Sequence, residues 1–257
     1  MRHIKDKLKL RDKLKESSFS KTLKSIREHA DRFSLIVLLD IFTVWLLMFL
    51  GREAIDYALV KAKENPAILF SYIAIYLLIA IIIYSFLKYC LMILTKQIFS
   101  MAKLNIRRIP GFLMLNMLIF LIISAVFIIL QLITISTMKE AFIRTGSAVI
   151  FLIFTLLAYA FINIAHSLFI EGKDKVIRKS ASFFSKLHKY LPVYAALFMI
   201  FLIFILFSFV TGLLAKLLNV NYGLYKTILS ILAIIIYSVL VSFGRTNLYF
   251  IVKKGAA

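Results

Sequence analysis

Acidic residues are scarce in this chain: 12 Asp and Glu stand against 32 Lys and Arg, for a formal charge of +20. Only one acid, Asp40, falls inside a long apolar run. Membrane enzymes that work through a carboxylate dyad or a two-metal centre need clustered acids, and none are available here. A single cysteine, Cys90, excludes an internal disulfide and a Cys-built metal site. Its place at the end of an apolar run suits an inert buried thiol, with acylation as the alternative. The three prolines, Pro66, Pro110 and Pro192, each stand at or just before the start of an apolar run. Proline is tolerated at the first helical position, where its missing N–H would have no partner, so these residues mark helix starts. The eight glycines form no phosphate loop, dinucleotide fingerprint or GxxxG face. The four histidines, His3, His29, His166 and His188, lack metal-ligand spacing, and HExxH is absent. No enzyme activity, metal or cofactor is expected.

Apolar residues are abundant instead. They make up 62% of the chain, charged residues make up 17%, and mean hydropathy is +0.95. Soluble proteins run at roughly 45–50% and about 25%. Six apolar runs cover Phe33–Leu50, Ala67–Leu87, Pro110–Thr134, Gly146–Ile170, Pro192–Ala215 and Thr227–Gly244. Each suffices to cross a bilayer, which takes roughly 17–25 residues. The expected fold is all-α, a polytopic membrane protein with six transmembrane helices. Residues 1–32 form a basic amphipathic segment, 33–244 the membrane domain and 245–257 a short tail. The basic segment is too long, and its apolar run too late, to read as a signal peptide.

The connections alternate in charge. The first, third, fifth and last segments hold 25 Lys and Arg, and the other three hold 7. Basic flanks stay on the cytoplasmic side, so both termini are expected there, in a cell membrane. An even number of spans gives the same result. In a soluble chain such a charge would suggest nucleic acid; at the ends of apolar runs it suits anionic headgroups instead.

The inner connections repeat a pattern. Phe19, Leu23, Ile26, Ala30 and Phe33 keep helical spacing while Lys21, Lys24 and Arg27 fall on other faces. Phe99–Leu115 and Glu171–Leu202 repeat the order of basic segment, proline and apolar run. Three cytoplasmic amphipathic helices, each feeding a span, are expected, with pseudo-repeats of about 80 residues. The cations expected to meet anionic lipid are Lys103, Arg107, Arg108, Lys175, Arg178, Lys179, Lys186 and Lys189. Topology-enforcing loops and docking of an acidic partner are the competing uses.

The loop Gly172-Lys173…Val176-Ile177-Arg178-Lys179-Ser180 leading into Leu191-Pro192, with six spans and basic inner loops, resembles the YciC-like family of prokaryotic membrane proteins. That family includes the membrane domains attached to some glycerophosphodiester phosphodiesterases. The resemblance implies the six-span architecture and brings no catalytic residues. Too few residues lie outside the six runs to form the hydrolase domain.

Asp40 is the pivotal residue, seven positions into the first run and about 10 Å deep. An intramembrane acid is costly and faces a partner or water. Thr155, Tyr159, Asn163 and His166 form a polar stripe on the fourth run, and Asn163 and His166 lie near the depth of Asp40. His166 or Asn163 is therefore the expected partner, and failing these Asp40 has to find Arg245, Lys88 or water. Asn116, Tyr84, Lys88, Ser238, Ser242 and Arg245 reach the same inner third. The candidate site comprises Asp40, Asn163, His166, Tyr159 and Asn116, either as interhelical hydrogen bonding or as a polar cavity. The function expected is a non-enzymatic protein that associates with anionic lipids and scaffolds or assists an envelope process. The alternative is a small transporter or lipid-handling protein using the polar site. A homo-oligomer or a membrane-protein partner fits either one.

Single cysteines in a Cys90→Ala background test the orientation. An impermeant reagent applied to intact cells should label Lys61→Cys, Arg144→Cys and Asn221→Cys and spare Lys103→Cys and Lys186→Cys. Labelling at position 186 would overturn it.

Overall fold

The computed structural model of the chain describes residues 18–61, 66–137, 140–184, 202–203, 206–207, 209–214, 216 and 222–256. Every element among them is helical. The helices are α1 (Ser18–Glu28), α2 (Ala30–Lys61), α3 (Pro66–Phe99), α4 (Ile109–Thr137), α5 (Glu140–Ile170), α6 (Val176–Phe184) and α7 (Tyr222–Ala256), with a 3-10 turn at Ile106–Arg108. Five of them, α2, α3, α4, α5 and α7, are long and apolar enough to cross a membrane. This is an all-α, multi-pass membrane protein. Most of the fifth apolar run, and the join at Leu191-Pro192, lie outside the described residues.

The helices outrun the apolar runs that predict them. No proline follows Leu50 before Pro66, and Gly51 alone does not stop the helix, so α2 continues to Lys61, with Arg52 and Asp56 paired at 3.8 Å. α3 starts at Pro66, as its missing N–H requires, and continues through Lys88 to Phe99. α7 passes Gly244, so residues 245–256, expected as a tail, are a bundle element with Leu248, Tyr249 and Val252 buried.

The long helices close a ring, α2 on α3, α3 on α4, α4 on α5, α5 on α7 and α7 back on α2, with α3 also touching α5 and α7. Helices α2 and α4 begin, and α3, α5 and α7 end, at one end of this ring, here the proximal end. Among the described residues nearly all buried side chains lie in the proximal halves, the exceptions being Ala54, Thr134 and, just past the middle of α7, Ser238. The distal halves expose large apolar residues such as Trp45, Met48, Ile75, Leu121 and Ile153. Lipid tails are as apolar as leucine, so apolar residues gain little by leaving them for a neighbouring helix. The chain is tightly packed where its polar residues are.

Only part of the expected repeat of basic helices is present. α1 exists, but Phe19 and Leu23 are exposed and Thr22, between them in sequence and to one side of them on the helix, is fully buried. Thr22 Oγ1 donates to Asn247 Oδ1 at 3.2 Å, and the Phe19 ring meets Phe243 edge-on at 5.1 Å, so α1 lies across α7. The second segment is not a helix: after Phe99 the chain is irregular up to the 3-10 turn. Asn105 caps that turn by accepting from the Arg107 N–H, and Pro110 sits in the first turn of α4. The third segment gives α6, whose Phe184 packs edge-on against Phe161 of α5 at 6.0 Å. It folds back on α5 through Val176, Phe183 and Phe184, which cover Ile164 and Leu168. The turn before it is fixed by Gly172, which has a φ of 71°. Its N–H reaches Phe169 O at 2.9 Å and the Lys173 N–H reaches Leu168 O at 3.1 Å, the two bonds of a Schellman C-cap.

Candidate functional site

Asp40, Lys88 and Arg245 lie ten, eleven and eleven residues from the proximal ends of their helices, hence each about 15 Å in. Three helices thus bring three charged groups to one level. Ser238, Ser242 and Arg245 recur at i, i+4 and i+7, which sets all three on one face of α7, each no more than 1% exposed. Arg245 Nη2 donates to both oxygens of Asp40, at 2.5 and 2.6 Å, and Ser242 Oγ donates to Oδ2 at 2.5 Å. The expected pairing of Asp40 with His166 or Asn163 is thereby corrected. The guanidinium has the reach and the charge to satisfy the acid, and closure of the ring sets α7 beside α2.

The α5 residues bridge other neighbours. Tyr159 Oη donates across to Val241 O at 2.6 Å. Gly244 makes room for it, since a Cβ there would lie 3.1 Å from Tyr159 Oη. Lys88 Nζ donates to Asn163 Oδ1 at 3.2 Å, joining α3 to α5. Asn163 Nδ2 in turn donates to Tyr159 O at 2.8 Å. His166 Nε2 lies 2.7 Å from Asn116 Oδ1, joining α5 to α4. Asn116 Nδ2 donates to Phe112 O, so Oδ1 is the acceptor and the His166 proton sits on Nε2. Thr155, expected on the same stripe, is exposed and takes no part.

A second polar layer closes the proximal end. Lys96 pairs with Glu171 at 3.1 Å, and Tyr249 donates its hydroxyl to the same carboxylate. Burial opposes ionisation of Glu171, but the hydrogen bonds from Tyr249 and Lys96 and the charges of Lys96 and Lys253 outweigh it and hold its pKa below the ordinary carboxylate value. Arg108 Nη2 donates to Phe169 O at 2.6 Å while its guanidinium lies 4.9 Å from the centre of the Phe169 ring. Lys96 reaches Ile170 O at 3.3 Å and Lys253 reaches Phe99 O at 3.2 Å. These cations satisfy the free carbonyls at helix C-termini, where positive charge is favoured.

Arg108, one of the cations expected to meet anionic lipid, is half-buried and caps α5. Lys103, Arg107, Lys175, Arg178 and Lys179 are exposed, and Lys186 and Lys189 lie outside the described residues. Lys88, Ser242 and Arg245 are the members of the cluster that the candidate list omits. Their signal was present: Tyr84, Ser85 and Lys88 on one face of α3, and the Ser238-Ser242-Arg245 stripe on α7. Among the described residues no three His, Cys, Asp or Glu side chains are grouped as metal ligands. No family model, curated protein or solved structure matches the chain.

Breaking one side of a buried ion pair costs about 3–5 kcal/mol, because the other charge is stranded. Asp40→Leu and Arg245→Met should each destabilise the protein in detergent on that scale, and the double variant should cost clearly less than their sum. Asp40→Leu and His166→Leu, which share no contact, should add to within about 0.5 kcal/mol. Additivity in the first cycle and coupling in the second would return Asp40 to His166.

Proposed function

We propose that the protein is a non-enzymatic component of the cell membrane that gathers anionic lipid at its proximal, cytoplasmic end and assists an envelope process from there. The observation that carries this reading is the loop Met101–Arg107. Met101, Leu104 and Ile106 are exposed there alongside Lys103 and Arg107, Met101 completely so. Apolar side chains exposed between cations at the end of a bundle suit the headgroup boundary, where the chains enter the acyl region and the cations meet phosphates. The exposed Phe19 and Leu23 of α1, and Arg178 and Lys179 of α6, extend the same surface.

The cytoplasmic assignment follows from the charge of the connections. Lys88 and Arg245 belong to the bundle interior; without them the asymmetry of basic residues persists. The likeness to YciC-like proteins is part of this proposal and rests on the loop pattern and the basic connections. A second reading, a protein that handles a lipid or small solute within the bundle, is favoured by the donors of Arg245 that Asp40 leaves unused.

Spin-labelled lipids added to the reconstituted protein measure the selectivity. Phosphatidylglycerol should be enriched over phosphatidylcholine at the protein, and the enrichment should fall as salt shortens the Debye length from about 10 Å at 0.1 M toward about 3 Å at 1 M. Changing Lys103, Arg107, Arg178 and Lys179 together to Gln should remove most of it. Equal association of both lipids with the unaltered protein would refute the proposal.

A further inference from the structure

Charge inside the ring does not balance within the chain. Asp40 is the only acid in any of the six apolar runs, the fifth included. It is already engaged by Arg245 and Ser242. Lys88 is a second buried cation, 6% exposed, whose ammonium donates to the neutral amide of Asn163. Among the described residues, Arg245, 1% exposed, leaves Nε and Nη1 without a partner, as the buried Ser238 on the same face of α7 leaves its Oγ. Lys88 and Arg245 stand at one level on α3 and α7, which touch, and the Asn163 that Lys88 bonds lies one turn of α5 from His166, so these groups form one cluster. Two cations and one acid leave an excess of one positive charge.

A buried charge without a counter-charge is among the most expensive arrangements a membrane protein can hold. Unused N–H groups of a guanidinium are also the donors best matched to phosphate oxygens. We infer that the ring binds one singly charged phosphate group between Lys88 and Arg245. Ser238 supplies a further hydroxyl, and Asp40 holds the guanidinium in place. The phosphodiester of a headgroup that carries no cation of its own supplies the net negative charge that balances the cluster, which a choline headgroup does not. A phospholipid headgroup and free dihydrogen phosphate share this chemistry.

The inference rests on the reading of the protein as a binder of anionic lipid and assigns that reading a buried site distinct from the exposed cations. The full chain, stripped of lipid in neutral detergent, is titrated with phosphatidylglycerol, phosphatidylcholine or inorganic phosphate. Native mass spectrometry and thermal unfolding provide the readouts. Phosphatidylglycerol should add one tightly held molecule per chain, raise the Tm and persist at about 1 M salt, because buried pairs are screened little. Stabilisation by inorganic phosphate alone would identify a free anion as the occupant. Lys88→Met leaves the Asp40–Arg245 pair intact and should weaken binding about tenfold or more, the loss of one charged hydrogen bond. The fourfold Gln variant of the exposed cations should keep the bound molecule, so loss of surface enrichment and loss of this site are read separately. Equal stabilisation by phosphatidylcholine, unchanged affinity in Lys88→Met, or no response to either anion would overturn the inference.

Discussion

The bond between Asp40 and Arg245 joins residues 205 positions apart and closes the first long helix onto the last. In water such a ring could be held by apolar burial alone. In lipid that force between helices is absent, and closure has to come from polar pairs and close packing. An acid at this depth has few ways to be satisfied, and a guanidinium at the same level on a neighbouring helix is the strongest of them. With α2 and α7 fixed together, the other bonds follow around the ring. Tyr159 ties α5 to α7, Lys88 ties α3 to α5, and His166 ties α5 to α4. The α2–α3 seam is mainly apolar, with Ile36 set against Leu91 and Ile98, and Arg32 donating to Gln97 O at its proximal end.

This arrangement divides the basic residues into three groups by what surrounds them. Lys88 and Arg245 are within the ring and organise it. Lys96, Arg108 and Lys253 occupy the proximal rim, where helix carbonyls need donors. Lys103, Arg107, Arg178 and Lys179 remain exposed, and they are the cations on the described surface to which the lipid proposal is directed. The same side-chain chemistry therefore serves folding, helix termination and surface electrostatics at three depths separated by only a few helical turns.

Much of the architecture was legible in the sequence, because run length and flanking charge are direct consequences of the bilayer. That Asp40 needs a polar partner was legible for the same reason. Its partner was not. Helical spacing shows that Tyr159, Asn163 and His166 share a face, and it shows the same for Ser238, Ser242 and Arg245. It does not show which of two faces on distant helices meets α2. Arg245 follows the end of the apolar run at Gly244, where a flanking charge is ordinary, so the sequence ranks it only as a fallback partner of Asp40. The basic loops misled in a different way. The order of parts at Phe99–Leu115 resembles the other two segments, but Asn105 and Pro110 favour a capped 3-10 turn there, and the apolar face of α6 packs on α5.

The contact between the first and last spans can be measured by disulfide formation across it. In a Cys90→Ala background, Asp40→Cys with Ser242→Cys should cross-link rapidly under mild oxidation, because Ser242 Oγ lies 2.5 Å from Asp40 Oδ2. Asp40→Cys with His166→Cys should remain reduced under the same conditions. Cross-linking of the second pair and not the first would place Asp40 against α5 and contradict the ring described here.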